Sequence, residues 1–434
     1  MFYIVESESQ VRKVKQIVKS DCFLEVITNN DNFHPKLAYP IAIYIRVLEQ
    51  EQGFILPIDH PEAINLDKNT IQEILNNCNR VFTRDKKRLL YFYNLKDVMD
   101  INLLYSMTKY DRLETDSQTS ISSFFYNRES DNKIVNKLIP LSKLYESYEN
   151  IFEKCKTTVD IKLPQGFTFY NDLATKVFYL IEQSGLGIHY KAFNKLFTPK
   201  NPLFNIEDNV VYTYFNLYNP TSRPTNSFNS VNFSALPKQE EYRKCFYPKN
   251  DYFVEFDFDG YHLRLLAELL EYPLTQESAH KQLAKLYFGK EEVTEEEYAE
   301  AKQINFQAIY GKIPDQVKDF EFFKKIKNFI DKLWDEYTSN GVIYNPDSNK
   351  PFTKELKNMN PSKLMNYFVQ SLESSKNILI LKEVLKYLRD RKSSIVLYTY
   401  DSIVIDFHKE DKKDEDTYFK DVGKKMKDFQ KTSE

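Results

Sequence analysis

The chain has 434 residues, of which 42% are hydrophobic and 15% are aromatic. This composition excludes a mainly disordered protein, because disordered chains bury too little apolar surface to fold. The net charge of −3, from 60 Lys and Arg against 63 Asp and Glu, gives no overall surplus of basic residues. Nucleic-acid-binding proteins usually carry such a surplus, and here it occurs only locally, over residues 186–250.

Targeting signals and cysteine spacing indicate the compartment. No apolar run reaches the roughly 18–20 residues that a membrane-spanning helix needs, and residues 1–10 lack the basic and apolar regions of a signal peptide. The four cysteines have no CxxC spacing and no neighbouring histidine cluster, which favours free thiols in a reducing compartment. We therefore expect a cytoplasmic protein with no membrane partner.

The first 110 residues alternate between strand-like and helix-like segments, which predicts an α/β domain with a mixed sheet. The strand-like segments are 2–5, 23–27, 41–47 and 53–57, and the helix-like segments are 70–77 and 86–93. A polar, Ser- and Asp-rich stretch at 111–135 predicts a linker. Apolar residues at helical spacing follow over 136–160 and 173–197.

Residues 252–257 (YFVEFD) predict a strand, and residues 261–270 (YHLRLLAELL) predict a helix. Asp257 then stands at the end of the strand, where a carboxylate can serve as a metal ligand. The alternative is an ordinary strand-to-helix connection in which Asp259 caps the helix.

A predicted helix at 297–311 (EYAEAKQINFQAIYG) carries Lys302, Phe306 and Tyr310 on one face, because their spacing is i, i+4, i+8. An ammonium group followed by two aromatic rings suits a nucleotide, with the charge at the phosphates and the rings at the base and sugar. The alternative is an aromatic stripe that packs into a core. Gly311 is expected to end the helix.

Residues 395–406 (IVLYTYDSIVID) predict a β-hairpin with Asp401 at its turn. If Asp401 faces Asp257 across the sheet, the two carboxylates form the pair that a two-metal site needs. The alternative is a simple turn aspartate.

These three segments resemble motifs A, B and C of DNA polymerase I-type (family A) DNA polymerases. The resemblance implies that Asp257, the Phe258 carbonyl and Asp401 bind two Mg²⁺ ions, with Mn²⁺ as a substitute. It also makes Lys302 and Tyr310 catalytic, Lys302 through the triphosphate. Among the positions that differ from the family pattern, His262 and Ser402 stand where the family usually has glutamates. The first of those glutamates helps to exclude the ribose 2′-hydroxyl.

Further segments resemble the same family. SAHKQLAKLYFG at 278–289 implies that His280 binds a phosphate oxygen, so the implied nucleotide-binding set is His262, His280, Lys302, Phe306 and Tyr310. The family resemblance implies contacts with the primer–template in three further segments. These are residues 213–237, residues 240–248 (EEYRKCFYP) and the helix from residue 366. The residues implied there are Arg223, Asn232, Arg243, Asn366 and Gln370. Arg264 is implied to be structural.

The implied fold combines α/β and α+β parts: a right-hand polymerase with an N-terminal, degenerate RNase H-like exonuclease domain. The expected domains are a 3′–5′ exonuclease-like domain (1–112), a linker and helical connection (113–160), a reduced thumb (161–225), palm (226–270), fingers (271–344) and palm (345–434). Around Glu25 the family's Asp-x-Glu pair is incomplete, so we expect no proofreading. Asp100 matches a framework position of that domain.

The implied function is template-directed addition of dNTPs to the 3′ end of a primer. Because few residues are available for a thumb, a processivity or replisome partner is expected to replace it on primer–template DNA. A phage or mobile-element origin fits the small size, with the bacterial host cytoplasm as the location. Two alternatives stay open: a single-subunit RNA polymerase or ribonucleotide-tolerant polymerase, and a non-catalytic DNA-binding subunit with a polymerase fold.

Overall fold

The computed structural model describes residues 2–50, 52–113, 136–197, 205–226, 231–237, 239–275 and 277–414. The chain forms two compact units. The first comprises residues 1–183, 194–214 and 227–231, and the second comprises residues 184–193, 215–226 and 232–434. Most of the linker predicted at 111–135 lies outside the described residues, as does the end of the predicted palm from residue 415.

A mixed six-stranded sheet forms the centre of the first unit. Its strands are β1 (Phe2–Ile4), β2 (Cys22–Thr28), β3 (Pro40–Val47), β4 (Gln52–Pro57), β5 (Val81–Thr83) and β6 (Val98–Asp100). The strand order is β1-β4-β3-β2-β5-β6, with β2–β3 and β3–β4 antiparallel and the other pairs parallel. The mixed sheet and its first four strands confirm the prediction.

Helices cover both faces of this sheet. They are α1 (Glu8–Ile17), α2 (Lys68–Asn76), α3 (Lys86–Leu89), α4 (Ile101–Lys109), α5 (Leu141–Val159) and α6 (Thr175–Glu182), the last preceded by a π-helical segment at Phe169–Ala174. Leu24 and Val26 pack in one core with α1 and α2, whereas Phe23 and Tyr44 pack in a second core with α4 and α5. Successive strand residues enter different cores because their side chains point to opposite faces.

The helix predicted at 86–93 is shorter than expected. It ends at Leu89, because the backbone N–H groups of Phe92 and Tyr93 turn back to the Leu89 carbonyl and Tyr93 becomes buried. The other predicted helix of this region, at 70–77, is confirmed as α2. Past β7 (Leu186–Ile188) and α7 (Tyr190–Phe197), a short hairpin forms from β8 (Ile206–Glu207) and β9 (Val210–Val211).

The second unit contains a three-stranded antiparallel sheet. The remaining strands of the chain are β10 (Phe215–Asn216), β11 (Thr225–Asn226), β12 (Phe246–Tyr247), β13 (Tyr252–Asp257), β14 (Val342–Tyr344), β15 (Pro351–Thr353), β16 (Ser394–Tyr398) and β17 (Ser402–Phe407). The central sheet has the order β13-β17-β16, and its β16–β17 pair confirms the predicted hairpin. Small antiparallel pairs β10–β11, β12–β7 and β14–β15 lie in the same unit.

Helices of four to 28 residues complete the second unit. They are α8 (Glu240–Arg243), α9 (Tyr261–Leu269), α10 (Ala279–Phe288), α11 (Glu295–Tyr310), α12 (Glu321–Asn340) and α13 (Pro361–Leu388). Helix α13 packs against α9, α11, α12 and β16, and most of its length is buried. Within the part of the chain that the structure describes, no helix combines the length and apolar character needed to cross a membrane.

A buried ion pair supports the first unit. The Lys87 ammonium donates to Glu182, both side chains are buried, and Tyr91 Oη donates to the second Glu182 oxygen at 3.0 Å. Removing one partner leaves the other charge buried, so Lys87→Met should lower the free energy of unfolding by about 3–5 kcal/mol. Chemical denaturation measures this change.

The matched control is Lys143→Ala in α5, because Lys143 and Glu146 form an exposed pair. In that variant the free energy of unfolding should fall by less than about 1 kcal/mol. The double variant Lys87→Met/Glu182→Met should lose less than the sum of its single variants. If Lys87→Met and Lys143→Ala lowered the free energy of unfolding equally, the role given to Lys87 would be contradicted.

Candidate functional site

The two predicted carboxylates meet at one end of the central sheet of the second unit. Strand β13 pairs with β17 so that Asp257 lies opposite Ser402. One residue further, the Phe258 N–H donates to the Asp401 carbonyl at 2.8 Å. The register therefore places Asp257 and Asp401 beside each other, although 144 positions separate them in the sequence (401 − 257).

The turn that carries Asp401 is tight. The Thr399 N–H donates to the Ser402 carbonyl at 2.9 Å, and Tyr400 between them has φ 64°. A bulky residue in this left-handed region is strained and needs support from its surroundings. The support comes from α13, where Asn377 Nδ2 donates to the Tyr400 carbonyl at 2.6 Å.

Asn377 is buried and fully engaged. Its Nδ2 also contacts Tyr398 Oη at 2.9 Å, and its Oδ1 accepts from Tyr261 Oη at 2.8 Å. One amide thus joins the hairpin, the helix after β13 and α13. The sequence prediction did not include Asn377, because an asparagine within an apolar helix has no distinguishing spacing.

Negative charge accumulates at this end of the sheet. Burial raises the pKa of the Asp257 carboxyl, and the charges of Asp401 and Glu255 raise it further. Burial also raises the pKa of Asp401. The charge of Glu373 raises this pKa further, whereas Arg223 and His262 lower it. A divalent cation between the carboxylates would relieve this repulsion.

A third carboxylate lies nearby. Glu255 precedes Asp257 by two residues, so both side chains point to the same face of β13. Ser402, which stands where the family usually has a glutamate, donates through Oγ to Glu255 Oε1 at 2.8 Å. Among the described residues, no group of three or more His, Cys, Asp or Glu side chains is arranged to hold a metal ion.

Asp406 cannot replace the missing glutamate. It lies opposite Phe253, at the far end of β13 from Asp257, and it is buried. Its two oxygens accept from the backbone N–H groups of Lys249 and Asn250 at 2.9 and 3.0 Å. The carboxylate therefore holds the loop before β13.

The predicted capping role of Asp259 is wrong for the helix that follows it. Helix α9 starts at Gly260 without a side-chain cap, whereas Asp259 accepts from the Ala279 N–H at 2.8 Å at the start of α10. Gly260 has φ 55°, and an added Cβ would lie 2.9 Å from the Ala279 Cβ. Arg264 binds the carbonyls of Asp259, Thr275 and Glu277, a structural role as the family resemblance implied.

Helix α11 presents the predicted nucleotide face. It begins at Thr294, whose side chain forms a reciprocal capping box with Glu297, and it ends at Gly311 as expected. Lys302 and Phe306 are exposed, and the Phe306 ring stacks on Tyr310 with centroids 6.0 Å apart. The aromatic stripe is therefore partly open and does not pack wholly into a core.

His280 joins this face from α10. Its ring centroid lies 5.8 Å from that of Phe306, and its Nδ1 lies 3.0 Å from the amide Nδ2 of buried Asn305. Burial lowers the pKa of His280, and Lys302 lowers it further while Asp259 raises it. The structure thus brings together His280, Lys302, Phe306 and Tyr310, as predicted from their positions in the sequence.

His262 lies between two polar partners. Its Nδ1 forms a hydrogen bond with Tyr310 Oη, and its Nε2 lies 3.3 Å from Glu373 Oε2. Glu373 is nearly inaccessible, at 1% exposure. The sequence prediction missed Glu373, although a charged residue three positions after Gln370 on the buried face of α13 was a usable signal.

Arg223 is held by the same carboxylate. Its Nη2 donates to Glu373 Oε1 at 3.1 Å, its Nε lies 2.9 Å from Oε2, and its guanidinium stacks 3.7 Å from the centroid of the Tyr400 ring. The residue predicted to hold the primer–template is therefore engaged with Glu373 and with the turn of Asp401.

The other predicted primer–template residues lie on separate elements. Gln370 Nε2 donates to Asn366 Oδ1 at 2.7 Å on α13, and both side chains are half-buried. Asn232 is exposed and accepts from Ser234 Oγ at 3.0 Å, and Arg243 is exposed at the end of α8. The structure joins Asn366 to Gln370, while DNA contacts by these residues stay a prediction.

Comparison with known proteins identifies relatives of this chain. The family model "DNA polymerase family A" matches residues 182–319, which include Asp257, Lys302 and Tyr310. A DNA polymerase I of Caldicellulosiruptor bescii is 24% identical over 408 residues, covering 81% of this chain and 47% of the relative. A DNA polymerase I of Synechocystis sp. is 32% identical over 120 residues, covering 25% of this chain and 12% of the relative.

The chain therefore spans about half the length of the first curated relative and less of the second. A solved structure of the POL domain of Pol1 from M. smegmatis, in complex with DNA primer-template and dNTP, has a TM-score of 0.67 and 12% identity. The match covers 99% of this chain and 96% of that chain, and it shows a shared fold of mixed α/β type. Together with this fold, the family model and both relatives confirm the resemblance to DNA polymerase family A that the motifs indicate.

Proposed function

We propose that the chain is a template-directed DNA polymerase that adds dNTPs to the 3′ end of a primer by two-metal-ion phosphoryl transfer. The observation that carries the proposal is the β13–β17 register, which brings Asp257 beside the turn of Asp401. Helix α11, with Lys302, Phe306 and Tyr310 on one face, belongs to the same unit. Similarity to DNA polymerase family A over residues 182–319 supports the same reaction.

The carboxylates of Asp257 and Asp401 and the carbonyl of Phe258 would hold the metal ions. These oxygen ligands suit Mg²⁺, with Mn²⁺ as a substitute. The crowded negative charge, which raises the pKa of both aspartates, fits a site that binds cations. When bound, the ions activate the primer hydroxyl and stabilise the leaving pyrophosphate.

The remaining side chains of the site position the nucleotide. The Lys302 ammonium attracts the triphosphate, and His280 adds a hydrogen bond to a phosphate oxygen. The exposed face of Phe306 and the ring of Tyr310 lie one and two turns further along α11, where base and sugar follow the phosphates. Alignment of the reacting groups and stabilisation of charge supply most of the catalysis in such transfers.

We also propose a right-hand layout of palm, fingers and reduced thumb. Residues 226–270 and 345–434 form the palm around the central sheet, and residues 271–344 form the fingers with α11. Residues 161–225 form a reduced thumb, and Arg223, Asn232, Arg243, Asn366 and Gln370 contact the primer–template. The exonuclease-like domain (1–112) corresponds to the mixed sheet of the first unit.

The exonuclease-like domain is proposed to be inactive, because the acidic residues near its expected site have other partners. Glu25 accepts from the Arg84 N–H at 2.8 Å and pairs with the Arg84 guanidinium at 3.2 Å. Asp100 caps α4 and also accepts from the Lys86 N–H at 2.9 Å. Asp31 lies 3.7 Å from Arg88. Arg84 and Arg88 thus pair with Glu25 and Asp31, and backbone N–H groups hold Asp100, which leaves these carboxylates engaged elsewhere than with the metal ions of a proofreading site.

The polymerase proposal predicts a strict requirement for both aspartates. Asp257→Asn and Asp401→Asn should each slow extension of a primed template by on the order of 10²–10³-fold, because each removes charge that holds the metal ions. Single-nucleotide addition with Mg²⁺ measures the rate. The matched control is Asp315→Asn, an exposed aspartate paired with Lys318, which should leave the rate unchanged.

Substrate choice separates the alternatives in the same assay. Faster addition of rNTPs than dNTPs would favour an RNA polymerase or a ribonucleotide-tolerant enzyme. An unchanged chain that binds primed DNA but extends no primer would support a non-catalytic DNA-binding subunit. An Asp401→Asn chain that extends primers at the original rate would contradict the role given to Asp401.

Lack of proofreading has its own test. A labelled primer with a mismatched 3′ end, incubated with Mg²⁺ and no dNTPs, should stay intact in the presence of the double variant Asp257→Asn/Asp401→Asn. Metal-dependent shortening of that 3′ end would show a working exonuclease site and contradict the assignment of Glu25 to Arg84.

A reduced thumb predicts weak grip on DNA. Because phosphate contacts dominate DNA affinity, the isolated chain should make only short products when a competitor traps each dissociated molecule, and product length should fall steeply between about 50 and 200 mM salt. Long products from single binding events would contradict this and remove the need for a processivity or replisome partner.

A further inference from the structure

A chain of polar contacts links four elements of the second unit. Tyr310 at the end of α11 bonds to His262 of α9, His262 lies 3.3 Å from Glu373 of α13, and Glu373 pairs with Arg223 from the loop before β11. Arg223 then stacks on Tyr400, next to Asp401. The contacts run from the nucleotide face to the turn of the second carboxylate.

The contacts at its two ring nitrogens determine how His262 can carry hydrogen. Burial raises the pKa of Tyr310, and the charge of Glu373 raises it further, so the Tyr310 hydroxyl stays protonated and can donate to His262 Nδ1. With Nδ1 as acceptor, His262 carries its hydrogen on Nε2, which lies 3.3 Å from Glu373. The negative charge of Glu373 favours a hydrogen at that nitrogen, and thus the arrangement in which Nδ1 can accept from Tyr310.

We propose that Glu373 is a positioning residue for selection of the nucleotide sugar. Glu373 holds the ring of His262 in place, and His262 in turn holds the hydroxyl of Tyr310. Together His262 and Tyr310 form a fixed surface, here called the wall, that accepts 2′-deoxyribose and disfavours ribose. This inference rests on the proposed polymerase function. Glu373 itself does not touch the nucleotide.

The position of the wall follows from α11. Residues four apart on one helix face lie about 6 Å apart along its axis. Phosphates bound at Lys302 therefore leave the sugar and base to face Phe306 and then Tyr310. The hydroxyl of Tyr310 already bonds to His262, whose other nitrogen faces Glu373, so an added 2′-hydroxyl meets a fixed surface with no hydrogen left to donate to it. Placing a buried hydroxyl against such a surface is costly.

Burial argues that Glu373 is more than a packing residue. Moving a carboxylate into the interior carries a large desolvation penalty unless partners compensate it. Here Arg223 supplies the compensating charge, and that cation is itself fixed on Tyr400. The pair therefore places a rigid acceptor behind His262.

The test compares sugar selectivity, defined as the ratio of kcat/KM for dNTP to kcat/KM for the matching rNTP in single-nucleotide addition. Glu373→Ala should reduce this ratio by on the order of tenfold, mainly through better use of rNTP, because the wall loses its support. Glu373→Gln keeps an acceptor for His262 and should restore part of the ratio. Tyr310→Phe removes only the hydroxyl and should lower the ratio in the same direction.

The matched control is Glu268→Gln. Glu268 is a largely buried carboxylate of α9 that pairs with Lys376 of α13 at 2.8 Å, so it ties the same two helices without facing Tyr310. The sugar selectivity of the Glu268→Gln variant should equal that of the unchanged chain. Thermal melting of each variant reports folding, and Tyr310→Phe and Glu373→Gln decide the question if Glu373→Ala does not fold.

The outcomes separate the two proposals. If the unchanged chain adds dNTPs and the Glu373 and Tyr310 variants lose activity equally toward dNTP and rNTP, the selectivity role is overturned while the polymerase function stands. If the unchanged chain adds no dNTP, the polymerase function is overturned and this inference with it.

Discussion

The candidate site depends on the antiparallel register of β13 and β17. Because side chains alternate between the faces of a strand, a slip of one residue would turn Asp257 to the opposite face. The register also brings the Phe258 N–H onto the Asp401 carbonyl, so the two aspartates come together through backbone hydrogen bonds. Their mutual repulsion acts against this arrangement, and the rest of the unit has to hold it.

Helix α13 provides that support. Asn377 holds the strained Tyr400 turn, and Glu373, one turn earlier, fixes Arg223 against the Tyr400 ring. The same helix packs against α9 and α11, which carry His262 and the nucleotide face. A single buried helix thus connects the end of the sheet that carries Asp257 and Asp401 to the residues proposed to bind the nucleotide. The polar side chains of Asn377 and Glu373 are internal because each has a partner there.

Two departures from the family pattern are accompanied by local rearrangements. Where Ser402 replaces a glutamate, its hydroxyl binds Glu255 from the neighbouring strand. Where His262 replaces a glutamate, Glu373 brings a carboxylate to its other side. In both places negative charge remains near the site but comes from a different element. In the first unit the negative charge is instead neutralised, because Glu25 and Asp31 form ion pairs with Arg84 and Arg88.

The sequence by itself determined the local elements and the resemblance to the polymerase family. Alternating and helical apolar patterns, which depend only on neighbouring residues, predicted β13, the β16–β17 hairpin and α11, and with them the positions of Asp257, Asp401, Lys302, Phe306 and Tyr310. Only the tertiary structure decided which distant side chains meet. Asn377, Glu373 and Glu255 acquire their partners through strand register and helix packing, and Asp259 caps α10 for the same reason. No local pattern encodes such contacts, because they join residues that lie far apart along the chain.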